Sequence, residues 1–298
     1  MATTGTRVLA AATALLTLAT TSCSAAEPAP SPTQGRPAPV AHGRAASTET
    51  KFRKGVMINM GVLTDLPGMG QLKVGPNTRS GFDNGLIGWL SSKIDFVPRH
   101  VDLTMAEREP AITNEPLLVD AVFAAFSITD GRKSRMDFAG PYLVNKQGVM
   151  VRADEKKIAT ISDLETKTIC APRGSTSIEE LKARKMKVTE EESVEQCIDA
   201  LKNNSVHGVS TDQLLLYGRA RNDSSLRVLP KLTFGHYENY GIALPKNSGA
   251  DCLLLTEHLK DFIRSGEWEK IFGQNFPDLA SEADAYKPKL TAFEQCGP

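Results

Sequence analysis

Ser127–Tyr142, SITDGRKSRMDFAGPY, sits between a strongly apolar run and a second strand, and its reading decides the fold. The run ahead of it, LLVDAVFAAFSI (117–128), contains a buried strand that TDGRK (129–133) breaks. After it, GPYLVNKQGVMVRA (140–153) reads as a turn and then a strand. Arg132 therefore leaves an apolar strand through a turn, a common position for a residue lining a cleft. Spacing alone favours a solvated turn charge beside Lys133 and Arg135.

Outward from this stretch, strands alternate with helices. GVMINMGVL (55–63) reads as a buried strand, TDLPGMGQLKVGPNTRSG (64–81) as a Gly/Pro-punctuated loop, FDNGLIGWLSSKI (82–94) as a helix and DFVPRHV (95–101) as a short strand. In ISDLETKTICAPRGSTSIEELKARK (161–185) a strand and a Gly-containing turn lead to a helix that begins near Ser175 and Thr176. Val194, Cys197, Ile198 and Leu201 recur at helical spacing, and 205–220 reads as strand then helix. YGIALPK (240–246) is another strand, and 251–276 a long amphipathic helix broken at Gly266. This order predicts an α/β protein with mostly parallel sheets.

The chain has 298 residues, 41% of them hydrophobic, enough for one large or two ordinary domains. Lys+Arg and Asp+Glu both number 35, so the basic footprint of a nucleic-acid binder is missing. Residues 1–22 read as an export signal, with Arg7 ahead of a short apolar stretch, Val8–Ala19. TTSC places small residues before Cys23, as a lipoprotein signal does, although Thr20 stands where Leu is usual; cleavage after Ala26 is the competing reading. Residues 23–50, rich in Pro and Ala, read as a tether unable to bury a core. Together these features predict a protein anchored by lipid on Cys23 to the outer face of the cell membrane. In an exported chain Cys170, Cys197, Cys252 and Cys296 are candidates for disulfides. Nearness pairs Cys170 with Cys197 and Cys252 with Cys296, while three connectivities and free thiols stay open. The five histidines show no ligand spacing and no GK[ST] follows the Gly-rich pieces, so neither a metal nor a cofactor is expected.

Ser127–Tyr142 resembles the pattern SITxxRxxxxDFSxPY of extracellular solute-binding family 3, the polar amino-acid receptors of ABC importers. GSTSIEEL (174–181), STDQLLLYG (210–218), and YGIALPK through GEWEKIFGQNF (240–276) resemble further family motifs in the same order. The placement of Cys170 and Cys197 resembles actinobacterial glutamate-binding lipoproteins. Two stretches depart from the family: Gly85 replaces an acid in GFDNGLI (81–87), and 101–122 reads as lacking the usual basic residue. The resemblance implies a two-lobe, periplasmic-binding-protein-like (type II) clamshell, each lobe a mostly parallel sheet flanked by helices. One lobe would be 51–151 plus 242–276, the other 152–241, with 277–298 a C-terminal tail. Crossovers near Met150–Ala153 and Asn239–Gly241 would form the hinge.

An amino-acid zwitterion needs a cation for its carboxylate and an anion for its ammonium. Arg132 matches the family's carboxylate-binding position, and its planar fork suits that role. Ser127 would add a hydroxyl and Ala125 its backbone. Ser175 and Thr176 open a helix, where free N–H groups favour an anion. Asp212 would take the ammonium, though an N-cap role is the plainer reading. Asp65, Leu66 and Met69 are side-chain pocket candidates, and Arg79 and Arg173 candidates for a distal carboxylate. Phe82 and Tyr142 read as core.

The expected function is capture of a polar amino acid, glutamate first and glutamine or aspartate next, by a monomer that delivers it to ABC permease subunits. A sensor receptor using the same pocket is one alternative. A dehydratase on the same fold is another, for which no added Glu or His in a motif speaks.

Overall fold

The computed structural model describes residues 49–73 and 78–297. The export signal, Cys23 and all but the end of the expected tether lie outside the described residues. Among those described, nine strands form one sheet. At one end β1 (Met57–Val62) pairs in parallel with β5 (Val97–Asp102) and β6 (Ala121–Phe123). At the other, β8 (Thr168–Pro172) pairs in parallel with β9 (Lys187–Glu191) and β10 (Gly208–Asp212). Two long antiparallel strands, β7 (Met136–Arg152) and β12 (Phe234–Pro245), join the two groups, and β11 (Leu226–Val228) pairs with the end of β7. This is the expected α/β arrangement of two parallel strand groups linked by crossovers. β6 and β10 are buried along their whole length, as strands covered on both faces are.

The crossovers carry the geometry of the site. On β12 the pairing slips between Tyr240 and Ile242, within the segment expected to bend. On β7, Met150 faces both Val209 and Val228, so this strand has joined the far group by Gln147, ahead of the expected Met150–Ala153. The loop read at 64–81 holds a small antiparallel sheet of β2 (Asp65–Leu66), β3 (Gly70–Leu72) and β4 (Arg79–Ser80).

Helices cover the sheet. α1 (Phe82–Ile94) turns Phe82, Leu86, Ile87 and Leu90 inward, and α2 (Pro110–Thr113) and α3 (Asp130–Lys133) are single turns. α4 (Thr176–Ala183), α5 (Val194–Lys202) and α6 (Gln213–Ala220) serve the far group. α7 (Gly249–Arg264) and α8 (Glu267–Asn275) are separated at Gly266, where the sequence predicted a break. Phe82 and Tyr142 stack in the core, and Trp268 Nε1 donates to the Tyr142 carbonyl at 2.7 Å. Both nearness pairings are formed: Cys170–Cys197 fastens β8 to α5, and Cys252–Cys296 fastens α7 to the C-terminal segment. That segment is more ordered than a tail. It winds into 3-10 turns over 277–285, and Tyr286 stacks on Phe272. Its backbone bonds β7 twice, Val144 N to Tyr286 O and Glu294 N to Gly140 O, both at 2.8 Å.

Candidate functional site

The end of β6 and the start of α4 meet at one point. Thr129 caps α3 by accepting from the Arg132 backbone N–H, which fixes the turn and sends the Arg132 side chain inward. Its Nη1 donates to the Ser127 carbonyl at 2.7 Å and its Nη2 to the Gly174 carbonyl at 3.1 Å. The guanidinium lies 4.3 Å from the centre of the Phe126 ring. Burial pulls its pKa down from the usual arginine value, while Glu238, Glu109, Glu179 and Asp212 push the other way. A cavity of about 420 Å³ opens here, lined by Arg132, Gly174, Ser175, Thr176 and the acids Glu109 and Glu179. The spacing that permitted a solvated charge at Arg132 is thus resolved in favour of a buried one, 9% exposed.

A second guanidinium converges on the same acceptor. Arg108, just ahead of α2, donates from Nη2 to Gly174 O at 2.9 Å and from Nη1 to the carbonyls of Ala124 and Ala125. Its Nε donates to Met105 O, and its guanidinium also lies on Phe126, 4.7 Å from the ring centre. Burial, with Arg132 nearby, lowers its pKa to about 9. The sequence reading missed this residue, because Glu107-Arg108-Glu109 looks like a solvated charge run. The signal that marks it is its place two residues before the turn Pro110–Thr113, which buries Ala111 and Ile112, in the stretch where a basic residue was sought.

Asp212 is an acid of this region. It sits where a cap for α6 belongs, yet its side chain makes no cap hydrogen bond. Instead its Oδ2 accepts from the Tyr240 hydroxyl, and its buried Oδ1 has no partner. Ser127 and Tyr240 face each other across an isolated antiparallel bridge, so Arg132 and Asp212 are tied to adjoining backbone. Burial and then Glu238 raise the Asp212 carboxyl to about 8, against the lowering effect of Tyr240, Arg108 and Arg132.

The other residues of this region form a polar lattice. Gln147 Nε2 donates to Thr176 Oγ1 at 2.9 Å and to Glu238 Oε1 at 2.8 Å, and its Oε1 accepts from Ser177. Ser175 also occupies a cap position without capping, and its buried Oγ is unpartnered. Ala125 holds φ at +47° and donates its N–H to Asp83, whose buried carboxyl also accepts from Tyr142 and is raised by burial to about 7. Asp65 lies within the electrostatic reach of Arg108 and Arg219, and burial raises its pKa. Leu66 and Met69 are core residues.

Two candidates go elsewhere. Arg79 pairs with Asp102 and lines a separate cavity with Asn84 and His100. Arg173 pairs with Glu192 at the half-exposed surface. A larger cavity, about 560 Å³, lies between the β2–β4 loop, α6 and the segment after α8. It has no buried arginine in its lining, whereas the smaller one is lined by Arg132 and by Gly174, the acceptor that Arg132 shares with Arg108.

The family model of the bacterial extracellular solute-binding proteins, family 3, matches residues 58–278. The glutamate-binding protein GluB of Corynebacterium glutamicum is 28% identical over 230 residues, covering 73% of this chain and 78% of that protein. A glutamine-binding protein of Geobacillus stearothermophilus is 31% identical over 226 residues, covering 71% of this chain and 84% of that protein. Among solved structures, the L-cysteine solute receptor of Neisseria gonorrhoeae superposes with a TM-score of 0.72 at 21% identity, covering 78% of this chain and 96% of that one.

Proposed function

This chain belongs to the bacterial extracellular solute-binding proteins, family 3, and on that premise we propose that it captures a polar amino acid, glutamate before glutamine or aspartate, and hands it to an ABC permease. Arg132 takes the α-carboxylate with Ser127 and the Ser175–Thr176 helix start. Asp212 takes the ammonium. Arg108 faces the distal carboxylate, the part the sequence reading gave to Arg79 or Arg173. The observation that carries the reading is a charge pattern. Two buried guanidinium groups donate to backbone carbonyls, while the Asp212 carboxyl keeps one oxygen unpartnered. Buried charges of this kind are stabilised by a ligand of complementary charge, and an amino acid with a second carboxylate supplies it.

The two jaws are the strand groups on either side of β7 and β12, and ligand binding draws them together. A lipid on Cys23 and the Pro/Ala-rich tether keep the receptor at the membrane surface. Calorimetry of the purified protein against the twenty free amino acids tests the ligand: glutamate is expected to bind most tightly. Binding of none would end the receptor reading, and preference for a basic amino acid would end the glutamate assignment. Mass spectrometry of the mature N-terminus tests the anchor, which an unmodified start at Glu27 would refute.

A further inference from the structure

We infer that Gly218 is a closure residue: its bare backbone lets α6 seat against the loop after β1, so that ligand capture depends on a contact away from the charged cavity. The inference rests on the two-jaw receptor reading above. Gly218 is buried in the last turn of α6. A side-chain carbon there would collide with the carbonyl oxygen of Pro67 and lie 3.1 Å from its carbonyl carbon. The obstacle is backbone rather than a flexible side chain, so moving α6 away from the loop is the relief available.

Neighbouring residues enforce the same approach. Arg219 donates from Nη2 to the Asp65 carbonyl and pairs with Glu195 of α5 at 2.5 Å. Arg221 pairs with Asp278, in the segment after α8, at 3.2 Å. Gly218 and Arg219 in the last turn of α6, and Arg221 just after it, thus meet the loop 65–67 and the C-terminal segment, both on the other jaw. A second close approach exists at Gly174, where a side-chain carbon would lie 2.7 Å from Met105 O. Gly174 lines the charged cavity and has φ +76°, so changing it would disturb binding and backbone together. Gly218 is free of both complications.

The variant Gly218→Ala separates local from global effects. Alanine is the better helix former, so α6 itself should gain. Closure should lose, because the added methyl holds the jaws apart. The experiment compares wild type and Gly218→Ala by thermal unfolding without ligand, by calorimetry with glutamate, and by solution scattering with and without it. The expected result is a ligand-free Tm at or above wild type, affinity weakened at least 10-fold, and no decrease in radius of gyration on adding glutamate where wild type contracts. Arg219→Gln, which loses the Asp65 contact, should weaken affinity in the same direction and less. Wild-type affinity and contraction in Gly218→Ala would overturn the inference, and so would a lowered ligand-free Tm, which would make Gly218 a packing residue. Failure of wild type to bind any amino acid would strike the receptor reading itself, and this inference with it.

Discussion

Arg108 and Arg132 donate to the same acceptor, the carbonyl oxygen of Gly174, at 2.9 and 3.1 Å, with the ring of Phe126 against both guanidinium groups. Two like charges that share one neutral oxygen in a buried setting are poorly compensated. The acids that act on them, Asp212 on both and Glu238, Glu109 and Glu179 on Arg132, do so at longer range, and Glu238 is engaged by Gln147. An anionic ligand at this point would replace a weak shared acceptor with charge-assisted ones.

Arg132→Ala should therefore weaken amino-acid binding severely. Removing one partner of a buried, hydrogen-bonded charge pair costs about 2–5 kcal/mol, roughly 30-fold to several thousand-fold in Kd. Arg132→Lys should fall between, since an ammonium keeps the charge and loses the planar fork. Calorimetry measures both, and equal affinities for wild type and the lysine variant would remove the bidentate role.

Arg108→Met should act on selectivity. If Arg108 meets a distal carboxylate, glutamate loses a charge-assisted contact of about 1.5–3 kcal/mol, roughly 10- to 150-fold, and glutamine loses less. The ratio of the two affinities is the readout. An equal loss for both ligands would mean that Arg108 only braces Ala124, Ala125 and Gly174, whose carbonyls it holds.

The legible part of the site was the part carried by local sequence. Thr129, Asp130 and Arg132 form one turn, and the resemblance of that turn to the family motif marked Arg132, since spacing alone left a solvated charge open. Arg108 could not be read in that way. Three of its partners lie 16, 17 and 66 residues away, and its own segment offers only its place ahead of the Pro110–Thr113 turn against the look of a solvated arginine between two glutamates. Asp212 was legible as a cap, and only the tertiary approach of Tyr240 shows that its side chain turns away from the helix. Arg79 and Arg173 show the converse, since each pairs with an acid, Asp102 and Glu192, that its own segment does not reveal. The C-terminal segment looked loose because its anchors, the edge of β7 and the ring of Phe272, belong to other elements.

The two disulfides should contribute separately to stability. The closed loops span 27 and 44 residues, and the chain-entropy model gives about 3–4 kcal/mol for each. Cys170→Ala with Cys197→Ala, and Cys252→Ala with Cys296→Ala, should each lower the urea midpoint. The second pair should also speed hydrogen exchange at Val144, which the C-terminal segment bonds. Unchanged exchange there would show that packing of Tyr286 on Phe272, not the crosslink, holds the segment.

Asp212 makes binding depend on pH. Its pKa rises from 3.8 unfolded to about 8 folded, so the folded protein without ligand holds an extra proton between these values. Stability from this group is full below pH 3.8 and is lost as pH rises through about 8. Asp83, raised to about 7, has the same sign, so the ligand-free Tm should fall from pH 5 to pH 8. An ammonium placed on Asp212 favours the carboxylate instead, joining the Tyr240 hydroxyl, Arg108 and Arg132 against burial and Glu238. Binding at pH 6 should then release about one proton per amino acid, and affinity should climb toward pH 8. Calorimetry in buffers of different ionisation enthalpy measures the proton count. Asp212→Asn should raise the ligand-free Tm at pH 8, abolish proton release and weaken binding. A wild-type protein that releases no proton at pH 6 would show that the ligand's ammonium does not rest on Asp212.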